Sequence, residues 1–257
     1  MKDSTLPKQL IVVIMAGGLG KRMESDIPKV LHKVSNKPMI VKIIQEALKL
    51  EPRKICVVVG KYSLMISETI REYGLYSYVE FINQGEPMGT GHALMVSCER
   101  LKRFNHANVL ILSGDVPLIT KDIMKKMVKN VDNIKICIGK LRDASGYGRV
   151  KIEDKKFVKI IEHKDCNEKE LKIKHFNTGI YCIDVLLLCK YIYKLDNNNV
   201  QREYYLTDIV ELIKIYENID VEMYKIPESD QIKVMGVNNP KELKEINCYA
   251  EALDLAF

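Results

Sequence analysis

The stretch that most constrains this chain is residues 11–29. It opens as Ile11-Val-Val-Ile-Met15, a short, continuous, β-branched apolar run that reads as a strand buried on both faces. It then breaks into Ala16-Gly17-Gly18-Leu19-Gly20, where glycines allow a sharp turn and let a ligand come close to main-chain N–H groups. Lys21 and Arg22 follow, and Lys29 stands just past Pro28. A buried strand feeding a glycine turn with cations beside it points to a phosphate site at the carboxyl end of a parallel strand. A P-loop requires Ser or Thr after its lysine, and Arg22 stands there instead. A dinucleotide fingerprint requires a third glycine where this chain has Met23. Taken alone, the glycines also fit an ordinary strand-to-helix turn.

The flanking chain supplies an α/β frame. Residues 38–50 place Ile40, Ile43, Ile44, Ala47 and Leu48 on one helical face. Strands are expected at 54–59, 79–82 and 108–113, with helices at 63–73 and 91–103 between them. Such alternation implies parallel pairing and right-handed crossovers. The second half differs: strands at 134–141, 149–152, 157–161 and 176–183 follow one another with few helices, which suggests a mixed sheet with an inserted region facing a substrate. Helices resume at 184–195 and 206–216, and a late strand falls at 221–226. Asn239-Pro-Lys-Glu242 opens a last helix, with an N-cap candidate, proline at the first helical position and Glu at the third.

The chain has 257 residues, 47% of them hydrophobic, enough for one large α/β domain. The net charge of +6 is spread along the chain, unlike the basic stripe of a nucleic-acid binder, so no nucleic-acid partner is expected. The seven cysteines form no C-x-x-C pair and read as reduced, buried side chains, which implies the cytoplasm. Residues 1–9 are polar and carry no signal core, and no apolar run approaches the ~20 residues of a membrane helix.

Further segments recur in order: Asp26-Ile-Pro-Lys-Val-Leu-His32, Gln84 with Gly89-Thr-Gly-His92, Gly114-Asp-Val-Pro-Leu-Ile119, Gly146-Tyr-Gly-Arg149, Ile161-Glu-His-Lys-Asp165 with Asn177-Thr-Gly179, and Glu203-Tyr-Tyr-Leu-Thr-Asp208 with Gly236-Val-Asn-Asn239. Together with G-G-x-G-x-R-M these resemble the sugar-1-phosphate nucleotidyltransferases. The resemblance is greatest to the uridylyltransferase domain of bacterial bifunctional N-acetylglucosamine-1-phosphate uridylyltransferases. It covers nearly the whole chain. It implies a Rossmann-like nucleotidyltransferase fold, a mixed but mainly parallel sheet flanked by helices. It also implies a division into a nucleotide-binding half (1–130), a sugar-binding half (131–230) and a metal-ligand loop with a C-terminal helix (231–257).

The reaction so implied joins UTP and N-acetylglucosamine-1-phosphate to give UDP-N-acetylglucosamine and pyrophosphate. The attacking phosphate oxygen is already ionised, so the work is alignment and charge stabilisation rather than base catalysis. By the resemblance, Arg22 and Lys29 are the catalytic cations. Asp115 and Asn238 hold Mg²⁺, which takes hard oxygen ligands and keeps most of its waters. Met15, Ala16, Gly17, Gly18, Gln84, Gly89, Thr90 and Gly114 contact the nucleotide, and Gly148, Glu162, Asn177 and Thr178 the sugar. His32, His92 and His163 lack metal-ligand spacing and read as structural or supporting residues.

Leu19, Lys21 and Ser113 depart from the usual uridylyltransferase residues, and Ala16-Gly17-Gly18 is common in thymidylyl and guanylyl relatives. Those base preferences therefore stay open beside uridylyl transfer, as does a catalytically silent regulatory domain. The last would be expected to lose charged site residues, whereas Arg22, Lys29, Asp115 and Asn238 are all present. The bifunctional relatives continue into a hexapeptide β-helix. Its absence before Phe257 leads to the expectation of no acetyl-CoA-dependent activity.

Overall fold

A computed structural model describes residues 8–254. The polar segment read at residues 1–9 lies largely outside the described residues, as does the end at Phe257. The first apolar run forms β1 (Gln9–Met15). A two-residue strand β2 (Lys33–Val34) turns through Ser35 and Asn36, both at positive φ, into β3 (Lys37–Pro38). Then come α1 (Met39–Leu48), β4 (Lys54–Val59), α2 (Ser63–Glu72), β5 (Val79–Asn83), α3 (Thr90–Leu101) and β6 (Ala107–Ser113). The second half contains α4 (Lys121–Val128), β7 (Ile134–Lys140), β8 (Arg149–Glu153), β9 (Lys156–Ile161), β10 (His175–Asp184), α5 (Val185–Tyr191), α6 (Asp208–Glu217), β11 (Glu222–Lys225) and α7 (Pro240–Asp254).

The main sheet runs β11-β7-β10-β6-β1-β4-β5, with β8 and β9 attached to β10. The pairs β1–β4, β1–β6, β4–β5 and β11–β7 are parallel. β10 is antiparallel to both β6 and β7, and joins the two halves of the chain into one sheet. Alternation sorts the side chains of β1: Val12 and Ile14 join a core with α1, α2 and α4, while Ile11 and Val13 join one with α3, α5 and α6. Both faces are covered, which is why β1 reads as an unbroken apolar run. A third cluster gathers Met23, Val34, Met39, Leu118, Val237, Ile246 and Ala250. Met23 thus anchors the glycine loop against α7, in the place where a dinucleotide motif would need glycine.

Three details differ from the sequence reading. α4 is absent from it, because Lys121, Lys125 and Lys126 dilute the short apolar face of Ile123, Met124 and Met127. Asp184 does not begin a helix; it ends β10 and accepts hydrogen bonds from the N–H groups of Leu186 and Leu187. The hairpin β2–β3 was also unforeseen, since two residues per strand leave no periodicity to read. β10 carries an irregularity between Asn177 and Tyr181, with Gly179 at φ +74°. That break re-aims side chains, as bulges beside functional sites do.

Gly139 on β7 has no room for a side chain: a Cβ there would lie 2.2 Å from the buried ring of Phe176. Phe176 is itself fixed against Tyr147, with ring centroids 4.8 Å apart. Gly139→Ala should therefore lower the unfolding free energy by about 1–3 kcal/mol through overpacking. Urea denaturation should show a lower midpoint with an unchanged m-value.

Candidate active site

The carboxyl ends of β1 and β6 lie side by side, and Gly114 makes that closeness possible. Its N–H donates to the Met15 carbonyl at 2.9 Å, and a Cβ would lie 2.8 Å from that oxygen. Asp115 follows at the sheet's end. Its carbonyl accepts from Val237 N at 2.9 Å, which draws in the loop from the far end of the chain. Ser113 Oγ donates to Asp115 Oδ1 at 2.6 Å. Lys29 forms an ion pair with Asp115 Oδ2, and its Nζ also lies 3.3 Å from Asn238 Oδ1. Arg22 donates to the same Asn238 oxygen at 3.0 Å. Arg22, Lys29, Asp115 and Asn238, far apart in sequence, thus form one cluster. Gly20, at φ +62°, folds the loop back so tightly that a Cβ would meet Lys29 Cβ at 2.8 Å.

The Lys29 and Asp115 side chains are only 18% and 12% exposed. Burial alone would push the Asp115 carboxyl up. The Lys29 charge and hydrogen bonds from Lys29 and Ser113 outweigh it, and the carboxyl is held below its usual range. Asn238 is fixed from behind: its N–H donates to Glu242 Oε2 at 2.7 Å, while Asn239 Oδ1 caps α7 by accepting from Glu242 N at 2.9 Å. The sequence reading missed Ser113 and Glu242 as site residues. In sequence Ser113 reads only as a departure from the usual residue, and Glu242 only as a helix cap.

On the β4 side, Gln84 is buried. Its Nε2 donates to the Gly89 carbonyl at 3.0 Å and lies 3.2 Å from His92 Nδ1. Its Oε1 lies where a Cβ on Gly17 would be, at 2.5 Å, whereas Gly18 has open space. Several expected nucleotide contacts are already engaged by protein. The Met15 carbonyl accepts from Gly114, and Ala16 N donates to Val58 O at 2.8 Å. Thr90 Oγ1 accepts from Leu206 N at 3.1 Å. Gly89 and Gly91 pack on Tyr204, whose carbonyl accepts from Gly91 N at 2.7 Å.

On the β8–β10 side, Gly148, Glu162 and Asn177 converge. A Cβ on Gly148 would lie 3.5 Å from Glu162 Oε2 and 3.6 Å from Asn177 Cβ. Burial, then the charges of Asp165 and Glu203, raise the Glu162 carboxyl despite a 3.1 Å hydrogen bond from Thr207. Asn177 Oδ1 accepts from Tyr181 OH at 2.8 Å, which leaves its amide nitrogen to donate elsewhere. Thr178 does not join them through its side chain. Its hydroxyl is buried and donates to the Cys137 carbonyl at 2.9 Å, because alternation along β10 turns it to the opposite face from Asn177. Thr207 and Tyr181, both missed as single residues, hold Glu162 and Asn177.

A nucleotidyl transferase family model matches residues 11–226. The chain belongs to the nucleotidyl transferase family. This nucleotidyltransferase is 36% identical over 251 residues to a probable UDP-N-acetylglucosamine pyrophosphorylase of Acanthamoeba polyphaga mimivirus, covering 96% of this chain and 98% of that one. It is 39% identical over 238 residues to the bifunctional protein GlmU of Clostridium botulinum (strain 657 / Type Ba4), covering 91% of this chain. It spans 50% of that GlmU's length. Among solved structures, a putative glucose-1-phosphate thymidylyltransferase from Bacillus anthracis matches with a TM-score of 0.72 at 20% identity, covering 94% of this chain and 95% of that one. A UDP-glucose pyrophosphorylase matches with a TM-score of 0.71 at 15% identity, covering 97% and 100%. Those two show the fold: a mixed, mainly parallel sheet flanked by helices. Nucleotidyltransferases of this family generally use a divalent metal. Among the described residues no cluster of three or more His, Cys, Asp or Glu could hold one. Asp115 and Asn238 nonetheless direct two hard oxygens toward one point, where Lys29 Nζ now lies. That suits a cation completed by substrate oxygens and water.

Gly17→Ala should push the Gln84 amide out of place. If Gln84 reads the base, KM for the nucleoside triphosphate should rise several-fold while the melting temperature changes little, since the displaced atom is a side-chain terminus. Steady-state kinetics beside a thermal melt would check both.

Proposed function

We propose that the chain transfers UMP from UTP to N-acetylglucosamine-1-phosphate, releasing pyrophosphate, with Mg²⁺ as the metal. The observation that carries this reading is that one sheet holds both the Arg22–Lys29–Asp115–Asn238 cluster, at the end of β6, and the Gly148–Glu162–Asn177 group, at β10, which pairs with β6. The mimivirus relative, matched over nearly its whole length, supports the same substrates. The free cysteines, five of seven buried, support a reducing, cytoplasmic setting. No helix among the described residues is long and apolar enough to cross a membrane.

In this reading Gln84 and the open backbone at Gly18 receive the base. Arg22 presents a planar fork to the triphosphate, and Lys29 a point charge to the phosphates nearest the transferred phosphorus. Substrate phosphates would draw Lys29 away from Asp115, and Asp115 and Asn238 are the residues that would hold a metal, whose charge would offset that of the phosphates. Glu162 accepts from sugar hydroxyls, and the free amide nitrogen of Asn177 donates to the sugar. No side chain need remove a proton, because the acceptor phosphate is already an anion.

Asp115→Ala should lower kcat/KM by at least ~10³-fold, about 4 kcal/mol of transition-state stabilisation, in a protein that still folds. Near-normal metal-dependent turnover in that variant would remove Asp115 from its role. The deciding experiment is pyrophosphate release from each nucleoside triphosphate with N-acetylglucosamine-1-phosphate, glucose-1-phosphate and N-acetylgalactosamine-1-phosphate. UTP with N-acetylglucosamine-1-phosphate should be the best pair, and glucose-1-phosphate worse by at least ~10²-fold, since polar groups meant for the N-acetyl would stay unpaired. Preference for dTTP or GTP would move the chain to a thymidylyl or guanylyl reading.

A further inference from the structure

A second cavity, of about 810 Å³, opens at the carboxyl ends of β7 and β11. β10 separates it from the sugar pocket: along its first residues β10 pairs with β7 on one edge, through Asn177 and Ile138, and with β8 on the other, through Phe176 and Arg149. Four cations line it: Lys140, Arg142, Lys174 and Lys225. All four are exposed, and none forms an ion pair with a described residue. Two carboxylates, Asp143 and Glu228, share the lining. Asp143 is already engaged, accepting from Ser145 N at 2.9 Å and from its hydroxyl at 2.6 Å. Cations drawn to one concave place without partners create a local positive potential. The half-buried His175 shares the lining: burial, and after it the charges of Lys225 and Lys140, lower its pKa. The half-buried Leu141 and the edge of Ile226 give the cavity apolar walls.

We propose that this cavity binds a small phosphate-bearing organic molecule, separately from the transfer site. Arg142 and the lysines take the phosphate, and the apolar walls take the rest of the molecule. The position lets occupancy reach the catalytic loops. The chain leaves the cavity at Leu141 and Arg142 and runs directly to Gly148, with Arg149 tying that loop at Ala144 O and Tyr147 O. On the other wall, Gln231 Oε1 accepts from Lys140 N at 3.0 Å, and its segment runs on to Gly236 and Asn238.

Glucose 6-phosphate serves as the probe, with glucose and inorganic phosphate as separate arms, in calorimetric titrations without metal or nucleotide. Turnover is not measured, so the result stands apart from the proposed transfer reaction. The wild-type protein and Arg22→Ala should bind glucose 6-phosphate alike, inorganic phosphate more weakly, and glucose not at all. Arg142→Glu/Lys225→Glu should weaken glucose 6-phosphate at least ~10-fold. The neutral pair Arg142→Gln/Lys225→Gln should give a smaller loss, and stands in should the reversal disturb folding. Undiminished binding in both double variants, loss of binding in Arg22→Ala, or no binding by the wild-type protein at millimolar probe would each overturn the proposal.

Discussion

The contact between Lys29 and Asp115 is the interaction around which this structure is arranged. Two opposite charges are taken largely out of water at the end of β6, which is costly unless each is well satisfied. Ser113 serves one carboxylate oxygen, Lys29 the other, and the amide oxygen of Asn238 serves Lys29 and Arg22 together. Removing one member strands another. The backbone is built to that end: Gly114 lets β1 and β6 close up, Gly20 folds the cation loop back, and Val237 N pins the C-terminal loop to Asp115. A nucleotidyltransferase needs such an arrangement, because its substrates are polyanions and its chemistry is alignment against charge repulsion.

Residues 203–208 bond to both of the flanking groups of candidate site residues. Tyr204 and Leu206 bond to the turn carrying Gly89, Thr90 and Gly91, on the side proposed for the nucleotide. One residue further, Thr207 donates to Glu162, on the side proposed for the sugar. A single short segment thus ties the turn at Gly89–Gly91 to Glu162, so under the proposed function substitutions there should disturb nucleotide and sugar affinity together.

Much of this was legible in the residues. β-branched runs gave the buried strands almost to the residue, since a strand covered on both faces has no polar alternation to blur it. The antiparallel insertion of β10 was foreshadowed by consecutive strands without helices. α4 stayed hidden because three lysines stand against only three buried apolar residues in a short helix. Within the site, the charged residues could be named from their motifs, but the bonds among them could not. No spacing rule links Lys29 to Asn238, or reveals that the Thr178 hydroxyl bonds to Cys137 O while Asn177 lies beside Gly148. The cavity beside β11 was equally invisible, because its cations come from three separate segments in a lysine-rich chain.

In the proposed function a metal ion meets Asp115 and Asn238 where Lys29 lies, so metal and lysine would compete until substrate phosphates draw the lysine off. Titration of the nucleotide-free protein with Mn²⁺, followed by electron paramagnetic resonance of the unbound ion, measures this competition directly. The wild-type protein should bind Mn²⁺ weakly, and Lys29→Met at least ~10-fold more tightly, as an uncompensated carboxylate draws a cation more strongly. Tight Mn²⁺ binding by the nucleotide-free wild-type protein, or equal affinity in Lys29→Met, would contradict the exchange.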